Sequence, residues 1–560
     1  MIDFMELPPD IEQGAGAELP PIDSIDELVE QLQEQHPKAP ATPANLAKWR
    51  TVAKAMQQQQ AELRKAELQL RAPVRSKADL IQRLKAEARL YKAEHTKIND
   101  TTGNVTTPRI PPRAVADILL NNIKFVIIGK DNKENAYKAP YFYDIDQGIY
   151  VSLQRELERL CLLVERELNI KGRKETIEYI RLEAPTVEPT ENPALIVCNN
   201  GIYNKATKQL EPFNDQYKFI SKIATNLNLD ASEPDFNGWK LSEWIKELSD
   251  GDQSKEKLIW QLIASTVNAN YVQPYAFFLV DNGQGRTGKS TFETLLKNLV
   301  GKANYSSLML VEFEHDFKLA TAMGRALIIG DDNNPKDYNE NSANFKSMVT
   351  GDVVLINPKG LPPYTDQSTA TIVQSMNSLP KFKDATGGTL RRLKIIRFNH
   401  QYPDTPAGRK IKDEYIKDTS LLEWVLKKAV TIDIERLEDT EESRGEVREI
   451  KQQSDPIAYF MQEYFPELTS ERIPTAFLFK YFLAVMAYEN NPSRITQRAF
   501  TERLKENLPE GWKYERNRKY VGNWWDDRDM DVLNLYDRKN VYPYEPKPRR
   551  AYQGLIYKKY

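Results

Sequence analysis

Residues 275–300 read YAFFLVDNGQGRTGKSTFETLLKNLV, and the rest of the chain is arranged around them. Tyr275 to Val280 is an unbroken apolar and aromatic run, the pattern of a strand buried on both faces. Asp281 ends it. Gly283, Gln284, Gly285, Arg286, Thr287, Gly288, Lys289 and Ser290 then spell G-x-x-x-x-G-K-S. Thr291 follows, and Phe292, Leu295, Leu296 and Leu299 fall at helical spacing. Strand, glycine-rich loop and helix make a phosphate cradle, because glycines let backbone N–H groups curl round an anion at the positive end of a helix. Lys289 is expected to reach the β- and γ-phosphates of ATP, and the Ser290 hydroxyl to hold Mg²⁺.

At 560 residues the chain exceeds one hydrophobic core and calls for about three or four domains. Lys plus Arg (78) nearly balances Asp plus Glu (80), so a nucleic-acid surface has to be local. Cys161 and Cys198 sit in apolar surroundings without ligand spacing and read as buried thiols of a reducing cytosol. His36, His95, His315 and His400 are scattered, which leaves no readable metal site. The start, MIDFMELPPDIEQG, lacks the basic and apolar regions of a signal peptide, and no apolar run reaches membrane-spanning length. The expectation is a soluble protein of the cytoplasm.

Residues 1–23 are acidic and proline-rich, a composition that favours disorder. Leu46, Trp49, Ala53, Met56 and Leu63 then repeat at helical spacing, and Ser76 with Asp79 caps a second amphipathic helix carrying Ile81, Leu84, Ala88 and Tyr91. Residues 1–100 thus read as a tail and a helical arm, either a plain hairpin or a docking surface. Thr101 to Arg113 is a linker by composition. An α+β domain is expected over 115–240, with strands at FVIIG, YFYDI and IYVSL, a helix near 153–168, and hairpin structure at ALIVCNNGIYNKATKQL. Asp144 and Asp146 form an Asp-x-Asp pair that suits either a metal or an ordinary turn.

The nucleotide domain is expected over 241–430. Beyond the loop, Ala326 to Ile329 is a second buried strand, ending in Gly330-Asp331-Asp332. Carboxylates there fit the Mg²⁺ shell (Asp331) and the attacking water (Asp332). A third strand, Ala370 to Gln374, leads to Asn377, placed to hydrogen-bond the γ-phosphate or the water. Arg391 and Arg392 precede a fourth strand, Leu393 to Phe398.

With these residues assembled, the middle of the chain resembles a superfamily 3 helicase of the phage and plasmid primase-helicase type, an AAA+ group. The matching pieces are GQGRTGKST, LIIGDD, FKSMVTGDVVLINPKGLPPY, VQSMNSLPKFKDATGGTLRRLKIIRF and, upstream, CNNGIYN, within roughly residues 115–505. The resemblance implies an ATP- and Mg²⁺-dependent DNA helicase, ring-forming and hexameric, of a bacterial phage or mobile element. It makes Asn377 the sensor and either Arg391 or Arg392 the finger that reaches the neighbouring subunit's γ-phosphate. It also implies a hairpin at Val353 to Tyr364 that enters the ring channel, with Lys359 gripping the DNA backbone. Relatives often carry a primase ahead of the helicase. Here the first hundred residues read as arm and tail, which points to a primase supplied in trans.

From Ser454 to Tyr560 the pattern is compact. Helices around Ile457–Met461 and Phe477–Met486, a third opened by Thr496, and a hairpin from Trp512 to Val521 with a basic turn describe a winged helix. Gln497, Arg498, Thr501 and Lys505 would line the exposed face of the third helix, and Arg516, Arg518 and Lys519 the hairpin tip, either against DNA or against a protein. The tail YEPKPRRAYQGLIYKKY is basic and aromatic, fit to bind DNA or to stay disordered. The overall expectation is a multidomain α/β protein. Its AAA+ core would lie between an α+β domain and a winged helix.

Overall fold

The computed structural model describes residues 22–36, 41–99, 104–129, 138–281, 283, 285–315, 317–333, 338–339, 342–359, 362–382, 387–489, 492–519, 527–545 and 551–557. The acidic start (all but its last two residues), Gln284 and Asp384 lie outside them, as do the side chains of Arg518 and Lys519. The chain divides into two units, 1–229 with 268–271 and 355–366, and 230–267 with 272–354 and 367–560.

The first unit begins with α1 (Ile25–Gln35), which a reciprocal capping box opens. The Ser24 hydroxyl accepts from Glu27 N–H, and the Glu27 carboxylate accepts from Ser24 N–H. This Ser-x-x-Glu signature was present in the sequence, immediately after the stretch read there as a tail. Leu28, Val29 and Leu32 of α1 pack on Trp49, Val52 and Ala53 of α2 (Pro43–Leu70). Ser76 caps α3 (Lys77–His95) as expected. That helix is no free arm, however. Leu80, Leu84 and Ala88 share one core with α4 (Pro112–Asn122), α5 (Gln154–Val164) and α6 (Ile170–Glu183). One apolar stripe per helix leaves each helix in need of a partner, and α3 finds its partner across the linker.

Four strands, β1 (Phe125–Ile128), β2 (Tyr141–Asp144), β3 (Ile149–Val151) and β4 (Thr186–Val187), form a sheet in the order β3-β2-β1-β4. The expected hairpin region is a three-stranded antiparallel meander, β5 (Leu195–Cys198), β6 (Gly201–Asn204) and β7 (Gln209–Glu211). Burial pushes the Cys161 and Cys198 thiols up to about 12. The metal reading of Asp144 and Asp146 does not hold. Asp144 accepts from the Asp146 and Gln147 N–H groups and pairs with Lys77 Nζ at 3.1 Å, while Asp146 accepts from Lys77 N–H at 2.9 Å. Both carboxylates close a turn and anchor the start of α3. No cluster of three or more His, Cys, Asp or Glu suited to a metal occurs among the described residues.

The first unit also holds most of a two-stranded hairpin, Val354–Ile356 with Tyr364–Asp366. Its base is pinned by a buried ion pair, Lys138 Nζ to Asp366 Oδ1 at 2.8 Å, and Lys138 also lies over the Tyr364 ring. Lys359 is exposed in the connecting turn.

In the second unit, α7 (Leu241–Leu248) and α8 (Gln253–Val267) precede a five-stranded sheet. Its strands are β8 (Ala276–Val280), β9 (Tyr305–Ser307), β10 (Leu327–Asn333), β11 (Thr371–Met376) and β12 (Leu393–Arg397). Every pairing is parallel, in the order β9-β10-β11-β8-β12. Helix α9 (Lys289–Val300) follows β8. Parallel strands covered on both faces have to be apolar throughout, and β8 is buried at all five positions.

The C-terminal part contains α10 (Pro406–Asp413), then α11 (Pro456–Glu463), β13 (Arg472–Pro474), α12 (Thr475–Tyr488) and α13 (Gln497–Glu506). It ends in β14 (Trp512–Lys519), α14 (Asp527–Tyr536) and β15 (Ala551–Tyr557). The expected hairpin with a turn at 516–519 is corrected: those residues continue β14, which pairs antiparallel with β15. The tail is corrected too. Its Gly-Leu-Ile-Tyr run becomes the central strand of the order β13-β15-β14, with Leu555 and Ile556 buried. An apolar tail segment and two unpaired strand edges satisfy each other, where either alone would leave backbone groups without partners. No described helix is long and apolar enough to cross a membrane.

Candidate functional site

Strand β8 runs between β11 and β12, so its loop leaves the carboxyl edge of the parallel sheet beside the end of β11. Gly283, Gly285 and Gly288 all take positive φ (+72°, +69° and +86°). Nothing lies within 4 Å of where a Cβ would stand on Gly285, and only Asn377 Cβ approaches Gly283, at 3.9 Å. The loop is therefore open above its glycines, as a cradle has to be. Gly288 is tight instead: a Cβ there would meet Leu248, Trp244 and Tyr402 at 3.1–3.3 Å. Arg286 is left-handed without being glycine, and its carbonyl accepts from Tyr402 N–H at 2.9 Å, which holds the turn.

Lys289 sits at the first turn of α9, 8 % exposed. Its ammonium donates to Met376 O at 2.9 Å and Asn377 Oδ1 at 3.0 Å, and lies 3.3 Å from Asp281 Oδ2. Asp281 also accepts from Gly283 N–H and the Thr287 hydroxyl. The three donors of the ammonium are thus all engaged. The structure brings Asn377 against Lys289 although 88 residues separate them. Ser290 is exposed and Thr291 half-buried at the helix start.

Asp331 and Asp332 stand at a bulge. Gly330 pairs with Gln374 and Asn333 with Met376, so two residues of β10 face Ser375 alone. Asp332 has φ +54°, and both carboxylates are exposed. Asn333 locks the bulge, donating to Gly330 O, Ser375 O and Gln374 Oε1 at 3.0–3.1 Å. A Cβ at Gly330 would come within 2.0 Å of Gln374, so only glycine admits this lock.

Beneath these groups lies Glu293, fully buried one turn along α9, with neither oxygen in a good hydrogen bond among the described residues and only the nearby Ser375 hydroxyl to favour its charged form. Burial first, and the Asp331 charge second, raise its carboxyl to about 7. A carboxyl shifted up from 4.5 binds more protons folded than unfolded, so its cost to stability is absent below about pH 4.5 and complete above about pH 7. Glu293→Gln should therefore raise the apo melting temperature at pH 8 and change it little at pH 4.5. Equal melting shifts at both pH values would contradict this reading. The Ser290 hydroxyl and the exposed Asp331 carboxylate are hard oxygen donors of the kind a divalent cation takes. Sequence reading missed Asp281, Glu293, Asn333 and Gln374. Glu293 left one trace, an acid in step with Phe292 and Leu296 on the apolar stripe of α9.

Arg391 and Arg392 lie away from their own loop. Leu393 pairs with Ala276 at the amino end of β8, whereas the loop follows Val280 at the other end. Four strand steps separate the two levels, roughly 13 Å. In the C-terminal part, Gln497, Arg498 and Arg516 are exposed, but Thr501 is buried and donates to Gln497 O. Lys505 pairs with Glu502 at 2.8 Å and covers the Tyr514 ring. Arg503, which the sequence reading passed over, is exposed on the same helix.

Three segments of the chain match family models. Residues 74–246 match D5 N terminal like, residues 452–533 match Poxvirus D5 protein-like, and residues 282–392 match a family of unknown function (DUF5906). The glycine-rich loop is flanked by D5-like segments. The first of these takes in α3 and most of the first unit, and the second runs from α11 into α14. The segment of unknown function contains the loop, both aspartates, Asn377 and the two arginines. Solved structures of the NrS-1 C terminal region are also similar, at 11 % and 12 % identity with a TM-score of 0.40, covering 80 % of this chain and 100 % of theirs. That likeness is too distant to bear on activity.

Proposed function

We propose that this D5-like chain is the ATP-hydrolysing motor of DNA replication in a bacterial phage or mobile element, acting in the host cytoplasm as a ring-forming, hexameric helicase. The observation that supports it is the convergence of Lys289, Asn377 and the Asp331-Asp332 bulge at the carboxyl edge of one parallel sheet. In this reading the five-stranded unit is an AAA+ core of superfamily 3 type. The helix, strand, helix, helix, strand, helix, strand order of the C-terminal part serves as a winged helix on duplex DNA, with Arg498, Arg503 and Arg516 as exposed cations.

Lys289 exchanges Met376 O and Asn377 for the β- and γ-phosphate oxygens when ATP enters the cradle. Ser290 and Asp331 would hold Mg²⁺, which neutralises charge on those oxygens when bound. Asp332 polarises the attacking water, and Asn377, released from Lys289, hydrogen-bonds the water or the γ-phosphate. Arg391 or Arg392 of one copy completes the site of the next. In this reading a primase works beside it in trans.

Steady-state ATP hydrolysis with and without single-stranded DNA tests the motor. DNA is expected to stimulate the wild-type chain, and Lys359→Ala to bring the ratio of stimulated to unstimulated rates down to about one, since a lysine at an exposed turn contacts phosphate and no base. Hydrolysis indifferent to DNA in the wild type would overturn the motor. It would favour an origin-binding initiator that uses ATP for assembly.

A further inference from the structure

Helix α10 is weakly seated. None of its residues is buried, and it is held by the Thr405 cap on Gly408 N–H and an Asp404–Arg409 ion pair at 2.7 Å. The segment leading into it is tied to the phosphate loop by Tyr402 N–H on Arg286 O, with Asp404 3.9 Å from the Arg286 guanidinium. From this helix Lys412 reaches back across 122 residues of sequence, and its Nζ stands 3.5 Å from Ser290 Oγ. That distance is the outer limit of a hydrogen bond, so the ammonium is placed at Ser290 rather than bonded to it. Among the described residues no carboxylate lies within ion-pair distance of Lys412, although Arg409 on the same helix has one.

We propose that Lys412 is a second phosphate-binding cation of the nucleotide site, donated by the same protomer, and that a nucleoside di- or triphosphate draws α10 down onto the loop. This rests on the reading of the loop as a nucleotide site. An anion in the cradle lies between Lys289, the start of α9 and Lys412. An ammonium on a flexible four-carbon stem gains a short, charge-assisted bond by moving from a hydroxyl to a phosphate oxygen. A cation bound at Ser290 would repel the ammonium from the hydroxyl and send it the same way. A helix with no buried side chain can follow at small cost.

The test is calorimetric titration of the full chain with ADP and with ATP, in EDTA and in Mg²⁺. Wild type, Lys412→Ala and Lys412→Arg are compared, and hydrogen exchange over 405–413 is followed alongside. Loss of one exposed charged hydrogen bond should weaken ADP binding about tenfold in Lys412→Ala, most clearly in EDTA. Lys412→Arg should keep most of the affinity. ADP should slow exchange over 405–413 in the wild type and not in Lys412→Ala. Because Lys412 is exposed, the apo melting temperature should stay unchanged, which separates this effect from misfolding. Equal affinity in wild type and Lys412→Ala, or no nucleotide effect on exchange, overturns the proposal and leaves the nucleotide site standing. A wild-type chain that binds neither nucleotide overturns both.

Discussion

Lys289→Ala is expected to lower ATP turnover by a factor on the order of a hundred to a thousand, the usual cost of removing one preorganised donor from a developing anion. The variant should also be less stable, and the two effects have to be measured apart. Asp281 is 4 % exposed and keeps only Gly283 N–H and the Thr287 hydroxyl once the ammonium is gone. Breaking a buried pair on one side costs about 3–5 kcal/mol. That figure is an upper bound here, because two donors remain. Turnover per folded molecule, read beside a melting curve, isolates the catalytic share. A Lys289→Ala chain that still turns over ATP at a third of the wild-type rate would remove Lys289 from the phosphate site.

Replacing the arginine proposed as the finger should cost still more, about a thousandfold or beyond. Strand register makes the argument. Arg391 and Arg392 lie at the amino edge of the sheet and the loop at the carboxyl edge, so neither guanidinium can serve its own γ-phosphate. In the proposed ring a neighbouring copy brings one there. A mixture of the arginine variant with Lys289→Ala then becomes informative. An arginine-variant loop flanked by a Lys289→Ala protomer is complete again. With random mixing in a cyclic ring, about a quarter of the interfaces recover. Two inactive proteins that regain turnover on mixing demonstrate a shared site. No recovery, with both variants oligomeric, excludes the arginines as fingers. Testing Arg391→Ala and Arg392→Ala separately shows which of them acts.

What could be read locally was read well. The strand before the loop, the helix after it, the Ser76 and Thr496 caps and the three strands that follow lie close to where apolar runs and cap residues put them. Each of these signals is carried by residues within one or two turns of one another. The errors share a different cause. Arg516 to Lys519 looked like a turn because cations are common there, yet β14 continues through them to pair with a strand more than thirty residues further on. Thr501 and Lys505 lie near the expected helix face, but Thr501 turns inward and Lys505 is taken by Glu502 and Tyr514.

By itself, then, the sequence determined that the chain has a glycine-rich loop after a buried strand, acidic residues ending a second strand, and a polar residue ending a third. Glycine spacing, apolar runs and helix caps are local instructions, legible without a partner. Only the tertiary structure decided that Asn377 meets Lys289, that Asp331 and Asp332 share a bulge locked by Asn333 and Gln374, and that Glu293 is sealed below them. It likewise decided that the tail closes the C-terminal sheet. These outcomes depend on which strand edges and apolar faces satisfy one another across the chain, and that choice belongs to packing and hydrogen-bond completion rather than to any short stretch of residues.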